Sequence, residues 1–294
     1  MSHKSGFVNI IGNPNVGKST IMNALVGEKL SIITQKMQTT RHRIKGIVSG
    51  EEFQIVYSDT PGILQPHYKL QETMMKFVDS ALIDADVILF VTDVIEKPGK
   101  NPEYIEKVRK SNVPVIVLIN KIDLSNQQDV LNLFDYWTGI FPGATVFPIS
   151  AQEKFNIAPI FDRILELLPE APPYFDKNDL TDRNERFFFQ EIVREKILLN
   201  YQKEIPYSVE VVVEEFKETD KIIHINCVIY VERDSQKGII IGHKGEMIKR
   251  VGTDARKDAE EFFGKKIVLE LFVKVAKDWR EKERSLKNFG YDDI

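Results

Sequence analysis

The tightest constraint on this chain is one run, Gly12-Asn13-Pro14-Asn15-Val16-Gly17-Lys18-Ser19, set between an apolar stretch at residues 7–11 and a helix-compatible stretch at residues 20–26. It fits the pattern G-x-x-x-x-G-K-[ST]. Its glycines let backbone N–H groups turn inward around a phosphate, and the helix that follows adds the positive end of its dipole. Such a loop requires a buried strand before it and a helix after it. It therefore commits the start of the chain to a strand–loop–helix unit. In this arrangement the backbone of residues 12–17 lines the loop and Lys18 reaches the β- and γ-phosphates. The Ser19 hydroxyl becomes a Mg²⁺ ligand, and Thr20 stands in the first helical turn.

The pattern continues through residue 170. Apolar runs at residues 53–57, 87–91, 113–119 and 145–149 are rich in β-branched and aromatic side chains, and they alternate with helical candidates at 68–83, 103–111, 127–138 and 157–168. Near-continuous apolar runs of this length suit strands buried on both faces, so an α/β domain with a mostly parallel sheet and helices on both sides is expected. Pro169, Pro172 and Pro173 then interrupt any helix, and residues 171–185 are expected to be a linker. Residues 186–294 follow a different order: a helix at 186–201, two strands, two short helices, a strand and a final helix. Val209, Val211 and Val213 alternate with more polar neighbours, as do Ile223, Ile225, Cys227, Ile229 and Val231, and later Ile267, Leu269, Leu271, Val273 and Val275. Period two means one buried face, hence an α+β unit.

With 294 residues, 43% of them hydrophobic, the chain can fill two cores. A net charge of -4 excludes a general polyanion binder, so a nucleic-acid site has to be a local basic patch. The single cysteine, Cys227, forms no intramolecular disulfide and sits in an alternating run that marks it as core. No apolar stretch is long enough to span a bilayer and residues 1–6 lack a signal peptide's apolar run, so a cytoplasmic protein is expected; a monomer is expected as well.

Three further elements stand at strand ends. Asp59-Thr60-Pro61-Gly62 offers a carboxylate for Mg²⁺ and a Gly62 N–H for the γ-phosphate. Asn120-Lys121-Ile122-Asp123 selects the base. The Asp123 carboxylate can accept from both N1–H and the 2-amino group of guanine, Asn120 can read the purine and tie loops together, and the Lys121 stem can cover the ring. Adenine would leave that carboxylate unpaired. Ser150-Ala151 then offers a backbone N–H to guanine O6. These four elements in this order resemble the translation-factor class of small GTPases, which implies GTP and GDP as ligands with Mg²⁺. By that resemblance Thr40 is chosen as the switch threonine that completes the metal site, Thr39 being the alternative, and Lys18, Thr40 and Gly62 carry the catalysis. Where many such enzymes place a water-orienting glutamine this chain has Ile63, so hydrolysis is expected to be slow without outside help. Asn15 stands where similar GTPases coordinate a phosphate-bridging K⁺; a loop-shaping role is the other reading.

Near the C-terminus, Gly242-His243-Lys244-Gly245 is a G-x-x-G element between helical stretches, with Lys237, Lys249 and Arg250 close in sequence and only Glu246 opposing. Two glycines around a basic pair allow close approach to a single-stranded phosphate chain, with His243, Lys244 and Lys249 facing it. The surrounding helix–strand–strand–helix–helix–strand order resembles a type II KH domain, with apolar residues of the preceding helix and the adjacent strand as groove floor. The aromatics Phe187, Phe188 and Phe189 are read as packing residues rather than base-stacking ones. Together the two halves resemble the bacterial Era GTPases over essentially the whole chain, including the junction at residues 180–187 and the tail at 271–279. That resemblance implies binding of 16S ribosomal RNA near its 3′ end, a role in 30S subunit assembly and peripheral association with the cell membrane's inner face.

Overall fold

In the computed structural model, residues 3–291 are described. They fall into two units, residues 3–67 with 71–182, and residues 68–70 with 183–291.

The first unit is built on a six-stranded sheet of β1 (Lys4–Gly12), β2 (Ile44–Ser49), β3 (Phe53–Asp59), β4 (Val87–Asp93), β5 (Val115–Asn120) and β6 (Thr145–Pro148), in the order β2-β3-β1-β4-β5-β6. All neighbours are parallel except β2, which runs antiparallel to β3. Every residue of β4 is buried, as a strand covered on both faces requires. The helices are α1 (Lys18–Val26), α2 (Lys69–Ile83), α3 (Pro102–Lys110), α4 (Gln127–Ile140) and α5 (Ala158–Leu167). β3 and β4 flank β1, so the connections around β1 leave in opposite directions and open a crevice at its carboxyl end.

Two features depart from expectation. The edge strand β2 has no clear period-two signal, because Gly46 interrupts it. A Cβ at Gly46 would sit 2.7 Å from the Val26 side chain, so the glycine lets α1 approach the sheet. The segment expected as a linker is also hydrogen-bonded along β2 and β3. Buried Gln54 accepts from the backbone N–H groups of Tyr174 and Phe175 at 2.7 and 2.9 Å, and Leu180 O accepts from Ile47 N at 2.8 Å. Prolines forbid a helix here but not an extended path along the sheet edge.

The second unit runs α6 (Glu185–Asn200), β7 (Glu210–Glu218), β8 (Ile222–Val231), α7 (Asp234–Ile241), α8 (Glu246–Phe263), β9 (Lys266–Val275) and α9 (Glu283–Asn288). β7 and β8 are antiparallel, with a register shift between Val213 and Glu215, and β8 and β9 are parallel. The order is the expected one, but α8 is no short helix: its 18 residues make it longer than α7 with 8. Its inner stripe, Val251, Ala255 and Ala259, is fully buried against the sheet. The small side chains there let a long, otherwise polar helix lie close to β9. Cys227 and Phe189 are core residues, and the Phe189 ring stacks on Phe263.

Candidate nucleotide site and nucleic-acid interface

The phosphate-loop residues stand where β1 passes into α1, and the loop turns inward because Asn15 and Gly17 adopt positive φ, 65° and 96°. A Cβ on Gly12 would lie 2.2 Å from the Val91 carbonyl oxygen, and one on Gly17 would lie 2.2 Å from Asn120 Nδ2. Neither position tolerates a side chain without moving a neighbouring strand end. Lys18 is buried, and its ammonium donates to the carbonyls of Gly12 and Asn13 at 3.0 and 2.8 Å. Burial lowers its pKa to about 8, while the charges of Asp59 and Glu96 act in the opposite direction. Ser19 and Thr20 open α1, where backbone N–H groups have no intrahelical acceptor.

Three oxygen side chains converge beside Lys18. Ser19 Oγ donates to Asp59 Oδ2 at 2.6 Å, and Thr40 Oγ1 lies 3.0 Å from Ser19 Oγ and 3.2 Å from Asp59 Oδ2. Thr39 points elsewhere, its hydroxyl on the Lys36 carbonyl and Thr34. Asp59 is fully buried, and burial raises its pKa against the pull of Lys18 and the hydroxyls. Its second oxygen, Oδ1, is buried with no hydrogen-bond partner. A buried carboxylate with an unsatisfied oxygen is costly, and an all-oxygen donor set of this kind fits a hard cation that keeps several waters. Mg²⁺ matches that chemistry.

Gly62 packs directly on the loop: a Cβ there would meet the Pro14 backbone at 2.7 Å. Ile63, at the position of the absent glutamine, is 3% exposed and donates its N–H to the Gly12 carbonyl at 3.1 Å. Asn15 is exposed, and its side-chain amide donates to the Gln35 carbonyl at 3.0 Å.

At the end of β5, Asn120 uses both ends of its amide to hold loops together. Nδ2 donates to the Val16 carbonyl at 2.8 Å and Oδ1 accepts from Ala151 N at 3.0 Å. Of the backbone N–H groups that Ser150-Ala151 could offer guanine O6, that of Ala151 is thus engaged by Asn120. Lys121 donates to the Asn15 carbonyl and to Asp93 Oδ2, both at 2.5 Å, which lays its stem across the site. Asp123 is exposed, and one of its oxygens accepts from Ser150 Oγ at 2.6 Å. Sequence reasoning missed this duty of the Ser150 hydroxyl, and it missed Asp93, Glu96 and Asn101. Asp93 carries a legible signal, a carboxylate ending an apolar strand, as Asp59 does. Asn101, in a polar loop, carries none.

In the second unit, a single turn, residues 243–245, joins α7 to α8; Gly242 precedes it and Gly245 closes it, with φ of 73° and 80°. His243, Lys244, Lys249 and Arg250 are exposed. Beside them a groove of about 300 Å³ is lined by Ile248, Lys249, Gly252, Thr253, Arg256, Leu269 and Leu271. Its lining comes from α8, the helix after the loop, and from β9 beside it. On this side of α8 the exposed basic residues Lys249 and Arg256 stand beside the half-buried Ile248, Gly252 and Thr253. A Cβ on Gly242 would meet the Met247 side chain at 2.6 Å, whereas Gly245 faces open space.

The described residues include no helix long and apolar enough to cross a membrane. Residues 7–121 match the family described as 50S ribosome-binding GTPase, and residues 204–280 match the KH domain family. The chain is 47% identical over 290 residues to the GTPase Era of Geotalea daltonii, covering 98% of each chain. It is 46% identical over 298 residues to that of Alkaliphilus metalliredigens, covering 99% of this chain and 100% of the relative. Among solved structures, it superposes with a TM-score of 0.93 and 40% identity on Era in complex with MgGDPNP and nucleotides 1506–1542 of 16S ribosomal RNA, covering 98% of this chain and 99% of that one. A variant of Aquifex aeolicus Era bound to GDP·AlF₄⁻ superposes equally well, at 0.93 and 40%.

Proposed function

The chain belongs to the Era family of GTPases, and from that premise we propose a Mg²⁺-dependent GTP switch that binds the 3′-terminal segment of 16S ribosomal RNA and assists 30S subunit assembly. The carrying observation is the convergence of Ser19, Thr40 and Asp59, whose buried Oδ1 lacks a partner, at the mouth of a loop that holds Lys18. The RNA assignment draws on the relative solved with that segment and on the exposed basic turn at residues 243–244. Cytoplasmic placement with peripheral contact at the inner membrane face belongs to the same family reading.

Each residue has a distinct task. The turned backbone of residues 12–17 and Lys18 hold the β- and γ-phosphates, and Lys18 exchanges two carbonyl partners for phosphate oxygens. Ser19, Asp59 and Thr40 hold Mg²⁺, which when bound supplies positive charge against the oxygens that gain charge in the transition state. Gly62 donates its N–H to the γ-phosphate and registers its loss. Asp123, oriented by Ser150, reads guanine, while Asn120 fixes the two flanking loops. Because Ile63 has no polar group, water orientation falls to backbone and to an added cation. We assign Asn15 to a bridging K⁺. Its exposed amide beside the Gln35 carbonyl suits a large, weakly hydrated ion. Turnover should then be faster in K⁺ than in Na⁺ at equal ionic strength; equal turnover leaves Asn15 as a loop-shaping residue.

RNA binding is tested at Lys244, which already has positive φ that aspartate tolerates and faces solvent. Lys244→Asp changes the charge facing the phosphates by two units. At about 1 kcal/mol per unit charge at 4 Å in water, this predicts roughly 30-fold weaker RNA binding. GTP affinity and the thermal melt should stay unchanged. Wild-type RNA affinity in this variant would remove the loop from the interface. It is a cleaner test than a change at Gly242, where Met247 blocks any side chain.

A further inference from the structure

A chain of polar side chains, of which only Asn13 belongs to a motif named above, reaches the γ-phosphate sensor. Thr92 Oγ1 donates to Glu96 Oε1 at 2.8 Å, and Glu96 Oε2 accepts from Asn13 Nδ2 at 2.7 Å. Asn13 Oδ1 in turn accepts from Asn101 Nδ2 at 2.7 Å, and the same Asn101 amide donates to the Ile63 carbonyl at 3.3 Å. Every amide group is thereby used in its proper sense, donor to acceptor, which fixes the orientation of both asparagines. At the far end, Asp93 accepts from the Glu96 N–H at 2.8 Å and from Lys121, so the chain also meets the base-reading loop.

Ile63 is consequently held at three points. Its N–H is on the Gly12 carbonyl, its carbonyl is on Asn101, and its side chain is buried. Its neighbour Gly62 lies with its backbone against Pro14. With no side chain at position 63 able to orient water, the placement of this backbone is what the chain itself has to offer the reaction. We propose that Asn101 is a positioning residue for GTP hydrolysis, a latch that holds the Gly62–Ile63 backbone on the phosphate loop through Asn13, with Glu96 as its anchor. The proposal rests on the nucleotide reading above. Burial also raises the Glu96 pKa, while Asn13 and Thr92 hold the carboxylate form, consistent with an anchor that depends on both donors.

Asn101→Asp keeps size and shape but replaces the donating amide with a carboxylate, so both latch bonds are lost. Glu96→Gln removes the charge from the acceptor of Asn13 and turns the Thr92 bond round, and should fall between wild type and Asn101→Asp. The measurements are single-turnover GTP hydrolysis and equilibrium affinity for GDP and for GDP·AlF₄⁻, each with Mg²⁺ on the full chain, alongside a thermal melt. For Asn101→Asp, hydrolysis and GDP·AlF₄⁻ affinity should both fall roughly tenfold, the loss expected of one to two neutral hydrogen bonds, with GDP affinity unchanged. Wild-type hydrolysis, or an equal fall in GDP and GDP·AlF₄⁻ affinity, would overturn the latch. Failure of the unsubstituted protein to bind GDP would instead overturn the nucleotide reading itself.

Discussion

Asp123→Asn lowers GDP affinity by roughly 10²–10⁴-fold and raises affinity for xanthosine diphosphate. The estimate takes two hydrogen bonds to a charged acceptor at about 1.5–3 kcal/mol each. The substitution is well behaved in this site. The asparagine Oδ1 still accepts from the Ser150 hydroxyl, which approaches Asp123 Oδ1 at 2.6 Å, so the amide stays where the carboxylate was. Its NH₂ then meets the N1–H and 2-amino donors of guanine, donor against donor. Xanthine presents a carbonyl at that edge and accepts instead. Equilibrium titration with both diphosphates reads the exchange directly. Unchanged GDP affinity would show that Asp123 does not face the base.

Much of this geometry is legible in the residues. The phosphate loop, Asp59-Thr60-Pro61-Gly62 and Asn120-Lys121-Ile122-Asp123 each sit at the end of a strongly apolar strand, and topology alone brings those ends together. What escaped notice lacked either periodicity or a distinctive residue type. Strand β2 is interrupted by Gly46, whose reason is the side chains of α1 lying over it. The extended run through residue 182 is held at Tyr174 and Phe175 by Gln54, a buried amide that no pattern flags, and at Leu180 by the Ile47 N–H. The length of α8 was hidden because a helix made polar by its exposed side, with alanines inside, reads as a short one. Thr39 and Thr40 are indistinguishable in sequence. They separate only because Thr34 and the Lys36 carbonyl capture the Thr39 hydroxyl, while Thr40 is left beside Ser19 and Asp59. The Asn13–Glu96–Asn101 chain joins residues far apart in sequence through side-chain amides, and its existence depends on loop conformations that no spacing rule encodes.

The second large effect is the coupling of nucleotide state to RNA affinity. Thr40 is buried, with its hydroxyl on Ser19 and Asp59, and it belongs to a polar segment rich in basic residues, Lys36, Arg41 and Arg43. If the γ-phosphate fixes Thr40 and Gly62 together, the segment acquires one conformation with GTP and loses it with GDP. A ligand that distinguishes those conformations shifts the balance, and linkage requires that RNA raise GTP affinity by the same factor that GTP raises RNA affinity. Coupling of about 1–3 kcal/mol corresponds to roughly 5–150-fold.

The most direct measurement is the affinity of the full chain for a 3′-terminal 16S RNA oligonucleotide with GDP, with a non-hydrolysable GTP analogue, and with the analogue on a Thr40→Ala background. The account predicts RNA binding roughly 5–150-fold tighter with the analogue than with GDP, and the Thr40→Ala protein returning to the GDP value although the analogue still binds. Equal RNA affinity in the two nucleotide states would contradict the switch and leave a constitutive RNA binder whose GTP turnover is incidental.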